Sequence, residues 1–545
     1  MPAGATAMVS PSWPAIAGAS GSTGARITRR ALLAAAAAVP AVGVLGALGR
    51  AAAALAPQAV PPAGGSSFLP IAPNRITDTR AESGSFGYEW LDANTIRVQV
   101  GGKGGVPTNA SAAVLNVTMT NPSGPGFVNI HPTGTQRLET SSINVERPGQ
   151  ILANLVTVRL PASGQVDMFC YAPADLIVDV NGAYIPATTA VQAGRYVGLD
   201  QSFRALDTRN AGSKVGAGGL QRVDLSTVVP VGASAVVVNL TVTETNGPGF
   251  WTAFVPGTAR PVASNVNTDA GDQTRANQAI LPIGAVRAID VFSYSGGHLV
   301  VDVAGYFTGA SVPPDTVGLF VPNAPYRALD TRAVAAYGRM YAGWVCELDF
   351  AGRAGAQAAV INLTTSETRG PGFFTAYAAR TDRPDPGSNL NATNAGQTIA
   401  NHAIARTSTA GIAVYTYAGG DVIVDVAGYF VGTPLAAKYP AVVNVVPPPP
   451  PPPQPSPLPY TIAIPSLGIV DTILEGVGSN IVDGGYVGHW PGTGLSGTDN
   501  HMVLFAHRTE HGGIFRAIDQ LGPGDDVVIT GADGRTFVYG FWDRA

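Results

Sequence analysis

Apolar positions fall in short runs of Val, Ile and Leu, some alternating with polar residues and some unbroken, each closed by Gly, Pro or Asn. Ser234 to Thr243 and Gly297 to Phe307 are clear cases. Runs this short, rich in β-branched residues and bounded by turn formers, predict strands rather than helices. The pattern also repeats over a long period. Arg75-Ile76-Thr77-Asp78-Thr79-Arg80 returns as Arg204 to Arg209 and Arg327 to Arg332. Asn116, Asn239 and Asn362 sit in apolar runs that lead to Gly-Pro-Gly-Phe at Phe127, Phe250 and Phe373. Asn144 and Asn154 are matched by Asn267 and Asn277, then by Asn391 and Asn401. Val-Asp-Val tripeptides centre on Asp179, Asp302 and Asp425, at a constant interval of 123 residues. That interval is too long for one solenoid unit or propeller blade, so each copy is expected to be a domain of its own. The copies are read as 66–187, 194–309 and 317–432.

Within a strand, Asp302 points to the face opposite Val301 and Val303. Two readings follow. The Asp residues and Asn pairs could hold a cation, or they could be internal hydrogen-bonding residues, with Asp and Arg of the D-T-R motif paired. The second is favoured, because a hard cation takes about six or more oxygens and no dense carboxylate loop is visible. The N-x-T sequons at Asn116, Asn239 and Asn362 lie inside strands and read as core-edge residues rather than glycan sites.

Composition narrows the class. Charged residues make up 12% of the 545 residues, with a net charge of −4. Nothing in that balance suits a phosphate backbone, so nucleic acid is excluded as a partner. Gly (67) and Pro (44) argue against a mainly helical protein. Two cysteines, Cys170 and Cys346, can form neither a disulfide framework nor a tetrahedral zinc site. Both have apolar strand neighbours and read as buried small hydrophobes.

The ends of the chain differ from its middle. Residues 1–56 carry Arg29-Arg30, an uncharged Ala- and Leu-rich stretch, and an A-x-A site at Ala54-Leu55-Ala56. This resembles a twin-arginine export signal, which places the protein outside the cytoplasm, at the cell wall or the membrane-associated surface. Residues 433–459 form a Pro-rich linker in which Pro447 to Pro453 are consecutive. In polyproline II, Pro447 to Pro459 span roughly 40 Å. From Tyr460 the histidines concentrate: His489, His501, His507 and His511. Strands are predicted at Tyr460 to Ile464, Ile469 to Leu474, Met502 to Phe505, Asp526 to Thr530 and Thr536 to Trp542, with a helical turn at Ile514 to Leu521.

The three copies, over about residues 68 to 431, resemble repeats of secreted actinobacterial proteins, a likeness that implies no chemistry. The last segment is more specific. Ile464-Pro465-Ser466-Leu467-Gly468-Ile469, Gly488-His489-Trp490-Pro491-Gly492-Thr493, Val503-Leu504-Phe505-Ala506-His507-Arg508, Phe515 and Leu521-Gly522-Pro523-Gly524-Asp525 resemble the first part of a sortase of the actinobacterial class E or F type. The resemblance implies an incomplete β-barrel at 460–545 and a Cys, His and Arg site that cuts LPxTG-like sorting signals and passes the acyl group to an amine. The fold expected is therefore all-β: three repeated sandwich or barrel-like domains, a linker and this partial barrel. His507 matches the family histidine, with Ala506 in place of the usual Gly. The family's Cys and Arg lie on later strands. Cys170 and Cys346 belong to another domain type, and Arg535 and Arg544 come too early. On this reading the chain lacks activity as it stands.

The implied partners are a sorting-signal peptide of surface proteins and an amine acceptor, with cell-wall polymer possible through the repeats. No cofactor or metal is expected. His507-Arg508-Thr509-Glu510-His511 does satisfy the H-x-x-E-H zinc pattern. That pattern works on a helix, which Gly512-Gly513 disfavours here, so a metallopeptidase is not the reading adopted. A non-enzymatic alternative is a surface- or wall-binding repeat protein.

Overall fold

The computed structural model describes residues 5–9, 65–210, 212–334, 337–350, 355–385, 387–444, 458–497 and 501–541. The chain divides into two compact units, residues 38–446 and residues 1–37 with 447–545. The linker prolines Pro447 to Pro453 lie outside the described residues. So does the export-signal stretch, except for Ala5–Val9, a strand whose backbone pairs antiparallel with Met502–Ala506.

The all-β expectation holds. Each copy is a sandwich of two antiparallel sheets. In the second copy one sheet runs Tyr196–Asp207, His298–Phe307, Ala235–Thr243, Arg275–Pro282, and the other Leu220–Asp224, Ala288–Ser293, Gly249–Phe254, Val266–Thr268. The first and third copies repeat this order, the first adding Glu89–Asp92 to its second sheet.

The unbroken apolar runs are strands buried on both faces. Side chains alternate along a strand, so Val236, Val238, Leu240 and Val242 enter the core of their own sandwich. Ala235 and Val237 enter a second core, to which all three copies contribute. Leu115, Val117 and Met119 against Ala112 and Val114 divide in the same way in the first copy. Each copy thus has its own core and a share in a common one.

That common core closes cyclically. Phe68 of the first copy stacks on Phe307 of the second at 4.3 Å between ring centroids. Tyr196 of the second meets Phe430 of the third at 4.4 Å, and Phe320 of the third meets Tyr184 of the first at 4.1 Å. The glycine after each Val-Asp-Val makes room: a Cβ on Gly182 would lie 2.3 Å from the Phe68 ring, and one on Gly428 would lie 2.4 Å from Phe320.

The repeated asparagines follow the same circuit. Asn277 Nδ2 donates to Asn116 Oδ1 (2.9 Å), Asn401 Nδ2 to Asn239 Oδ1 (3.2 Å), and Asn154 Nδ2 to Asn362 Oδ1 (2.9 Å). Asn116, Asn239 and Asn362 in turn donate to the carbonyls of Ser264, Ser388 and Ser141 in the neighbouring copy. These amides join copies and are turned inward, which accounts for polar residues in otherwise apolar strands.

The Val-Asp-Val carboxylates each take a bidentate arginine fork from the start of their own copy. Arg75 Nε to Asp179 is 2.9 Å, Arg204 Nε to Asp302 2.7 Å and Arg327 Nε to Asp425 2.9 Å. The second arginine of each motif pairs with the motif's own aspartate, as Arg209 with Asp207. With these oxygens turned to arginine, the internal hydrogen-bonding reading stands and the cation reading is set aside.

Candidate functional site

In the second unit the described strands form one sheet in the order Ala5–Val9, Met502–Ala506, Val487–His489, Ile469–Glu475, Tyr460–Ile464, Asp526–Thr530, Thr536–Gly540. The strands read from the sequence are present, the last ending at Gly540. Val487–His489, which pairs parallel to Ile469–Glu475, and the short helix Ser479–Val482 were not anticipated. Tyr460, Ile462, Ile464, Ile473, Leu504 and Phe515 build the core beneath them. The turn expected over Ile514 to Leu521 contains a single 3-10 turn at Ile518–Gln520.

His507 follows directly on Met502–Ala506, where Phe515 N donates to its carbonyl at 3.1 Å and anchors the chain as it leaves the sheet. Its side chain is 25% exposed, and Nε2 lies 2.7 Å from Asp483 Oδ1. A carboxylate only accepts, so Nε2 carries the proton and Nδ1 is the nitrogen left for other work. No hydrogen bond to Nδ1 is seen among the described residues. Asp483 ends the helix Ser479–Val482, 24 residues earlier in the chain. Nothing in the sequence tied it to His507, because a loop joins them.

His511 lies beside His507, with ring centroids 4.8 Å apart. No helix brings them together. His511 has φ 47°, a left-handed conformation uncommon outside glycine, and Gly512 and Gly513 continue it at φ 90° and 54°. The loop therefore folds back on itself, closed by Gly513 N to Glu510 O at 2.8 Å. Arg508 turns away to Asp519 at 2.9 Å.

The other candidates have structural places. His489 is buried between Glu475 Oε2 (2.6 Å), Gly494 O (2.9 Å) and Thr493 Oγ1 (3.0 Å). Arg535 pairs with Asp533 within a turn at 2.8 Å, and Arg544 lies outside the described residues. Cys170 and Cys346 are buried in the cores of the first and third copies. Burial pushes both thiols up to about 12, so neither supplies a thiolate near neutral pH.

Comparison with known proteins adds a family and little beyond it. Residues 462–544 match the family model of the sortase domain. Sortase SrtE1 of Streptomyces coelicolor is 39% identical over 82 residues, which cover 14% of this chain and 23% of that protein. The chain thus spans about a quarter of that relative's length. Two solved structures, one titled for the triple jelly roll fold and turret assembly of an archaeal virus and one for Sulfolobus turreted icosahedral virus, cover 68% and 67% of the chain and 92% of their own. Their identities of 11% and 10% and TM-scores of 0.14 and 0.15 bear no argument.

Proposed function

Since residues 462–544 carry part of a sortase domain, we propose that the protein is a sortase-type cysteine transpeptidase of the cell envelope, acting on LPxTG-like sorting signals. In this reading His507 is the general acid and base. The observation that carries it is the placement of His507 at a strand end, a quarter exposed, with Asp483 fixing Nε2–H and leaving Nδ1 to exchange a proton. That nitrogen would protonate the departing amine and then deprotonate the incoming one. The nucleophilic cysteine and the oxyanion-steadying arginine belong, on this reading, to barrel strands beyond those described. Cys170 and Cys346, buried with thiols pushed up to about 12, are unsuited to the nucleophilic step. Among the described residues no helix is long and apolar enough to cross a membrane; the export signal in 1–56 is part of the proposal.

The test joins residues 460–545 to a continuing sortase barrel. His507→Ala is expected to lower cleavage of an LPxTG-type peptide by about 100-fold or more. Undiminished turnover would remove His507 from the mechanism.

A second reading, that the repeats bind wall polymer, rests on a different observation. Each copy displays the same aromatic ladder on its second sheet. Phe127 stacks on Tyr171, Phe250 on Tyr294 and Phe373 on Tyr417, at 5.5, 5.2 and 5.2 Å between ring centroids. Arg137, Arg260 and Arg383 cap the neighbouring rings of Phe169, Phe292 and Tyr415. Tyr171, Tyr294 and Tyr417 are all more than half exposed. Flat exposed rings edged by guanidinium suit the apolar faces and hydroxyls of a sugar polymer. Three equivalent sites on one chain would multiply weak contacts through avidity. The protein should co-sediment with cell-wall material, and Tyr171→Ala, Tyr294→Ala and Tyr417→Ala together should release it. Sedimentation that survives the triple change would count against this surface.

A further inference from the structure

Asp483, His507 and His511 offer three ligand atoms that all lie within 4.8 Å of one another. From this cluster we infer that the protein binds a zinc ion, with His507, His511 and Asp483 as ligands and water in the fourth place. Zinc bonds to imidazole nitrogen and carboxylate oxygen run about 2.0–2.2 Å, so tetrahedral ligand atoms stand about 3.3 Å apart. The Asp483–His507 contact of 2.7 Å has only to open slightly for an ion to replace the shared proton. His511 has to close by a small side-chain rotation, which its exposed position permits. Two imidazoles and one carboxylate form a donor set that zinc accepts, and an open fourth position suits a solvent-facing cluster.

The backbone supports the same reading. His511 is held at positive φ, a cost that an unconstrained loop would shed, and the result is an imidazole laid beside His507. The loop at Gly485 packs against it: a Cβ there would lie 3.7 Å from the His511 carbonyl. Two loops from distant parts of the sequence therefore deliver the three donors to one place. Arg508, the nearest cation in sequence, is engaged with Asp519. Two of the three donors are the histidines of the H-x-x-E-H pattern, brought together here without its helix. The carboxylate is Asp483, and Glu510 is exposed and outside the cluster.

Zinc here would engage His507 and displace the proton it shares with Asp483. With zinc on Nε2 the displaced proton moves to Nδ1, where the neutral ring must keep it, so that nitrogen can no longer accept a proton and zinc acts as a brake on the transpeptidase. That consequence rests on the sortase reading, whereas the binding does not.

The experiment titrates zinc chloride calorimetrically into the full chain at pH 7.5, with histidine ring signals followed by NMR. One equivalent is expected to bind and to shift the rings of His507 and His511. His511→Asn keeps a residue tolerant of the left-handed conformation while removing the imidazole, and Asp483→Asn removes the charge. Each should weaken binding by about 100-fold, beyond the loss seen for outer supporting groups. His501→Ala and Glu510→Gln should leave it unchanged. Stoichiometric binding unaffected by His511→Asn and Asp483→Asn, or no binding at all, would overturn the inference. In the barrel-completed protein, zinc that binds without slowing cleavage would leave the site standing and count against the role of His507, so the two readings fail separately.

Discussion

Arg204→Ala is expected to destabilise the repeat unit by about 3–5 kcal/mol, the cost of leaving a buried charge without its partner. Asp302 lies in a strand interior with a side chain 4% exposed. Its two oxygens accept from Arg204 Nε and Nη2 at 2.7 and 3.0 Å. Burial pushes the Asp302 carboxyl above its ordinary value, and Arg204 is the main influence drawing it back down. Without Arg204 the carboxyl rises further. A group whose folded value lies above its unfolded one favours the folded state at low pH and works against it as pH climbs. The difference between variant and parent should therefore be widest near pH 8 and narrow toward pH 5, as Asp302 takes up a proton. Arg209→Ala is the control. Its side chain is 47% exposed, and its buried partner Asp207 keeps Arg204 Nη1 at 3.2 Å when Arg209 is removed, so the loss should stay well below that of Arg204→Ala. Chemical denaturation of the full chain, followed through its strand signal, measures both. Equal losses at the two positions would mean that the buried pair has no special weight.

The repeat unit should also lose stability in acid through a single histidine. His402 is buried where the copies meet, with Nδ1 2.8 Å from Gln278 Oε1 and Nε2 3.0 Å from Thr157 Oγ1. Burial lowers its imidazole from 6.5 to about 3. The unfolded chain therefore takes up the proton first. Stability from this residue is complete above about pH 6.5 and drains away as pH falls toward 3, by an amount on the order of 4 kcal/mol. Carboxylates paired with arginine, such as Asp78 and Asp207, add their own losses lower in the range. The comparison with His402→Gln separates them. Glutamine stands at the matching place in the second copy, Gln278, and can keep a hydrogen bond to Thr157. The variant should match the parent near pH 8 or fall slightly below it, and surpass it below pH 5. Coincident acid profiles would show that His402 is not the sensitive group.

These residues mark where sequence reading succeeds and where it stops. The strands were legible because their pattern is local: β-branched runs ended by Gly, Pro and Asn need no distant partner. The Asp302–Arg204 pairing was half legible. The ion pair expected within the hexapeptide is present, Arg209 with Asp207, but the motif's first arginine, Arg204, also reaches across to Asp302 on a strand 98 residues on, which no local pattern announces. The asparagines were seen to recur, yet their partners lie in other copies, Asn116 and Asn277 being 161 residues apart. No spacing rule reaches that far. Near His507 the shortfall was geometric. The H-x-x-E-H spacing was judged by whether a helix could form, and that test was sound. It missed that a left-handed turn at His511 brings the rings together without one, and that Asp483 arrives from a separate loop.

The circuit of aromatics and asparagines has a further consequence. Head-to-tail contacts between separate molecules close into a ring only when the rotation permits, and a ring of identical subunits carries identical residues at every corner. Here one chain supplies all three corners, so the stoichiometry is covalent and the corners are at liberty to differ. Leu155, Gln278 and His402 occupy equivalent places, each with its backbone N–H bound to an asparagine of another copy at 2.9, 3.3 and 2.9 Å. A homotrimer would have to bury three histidines there or none. The tandem chain buries one, and acquires a single acid-sensitive corner in an otherwise three-fold frame.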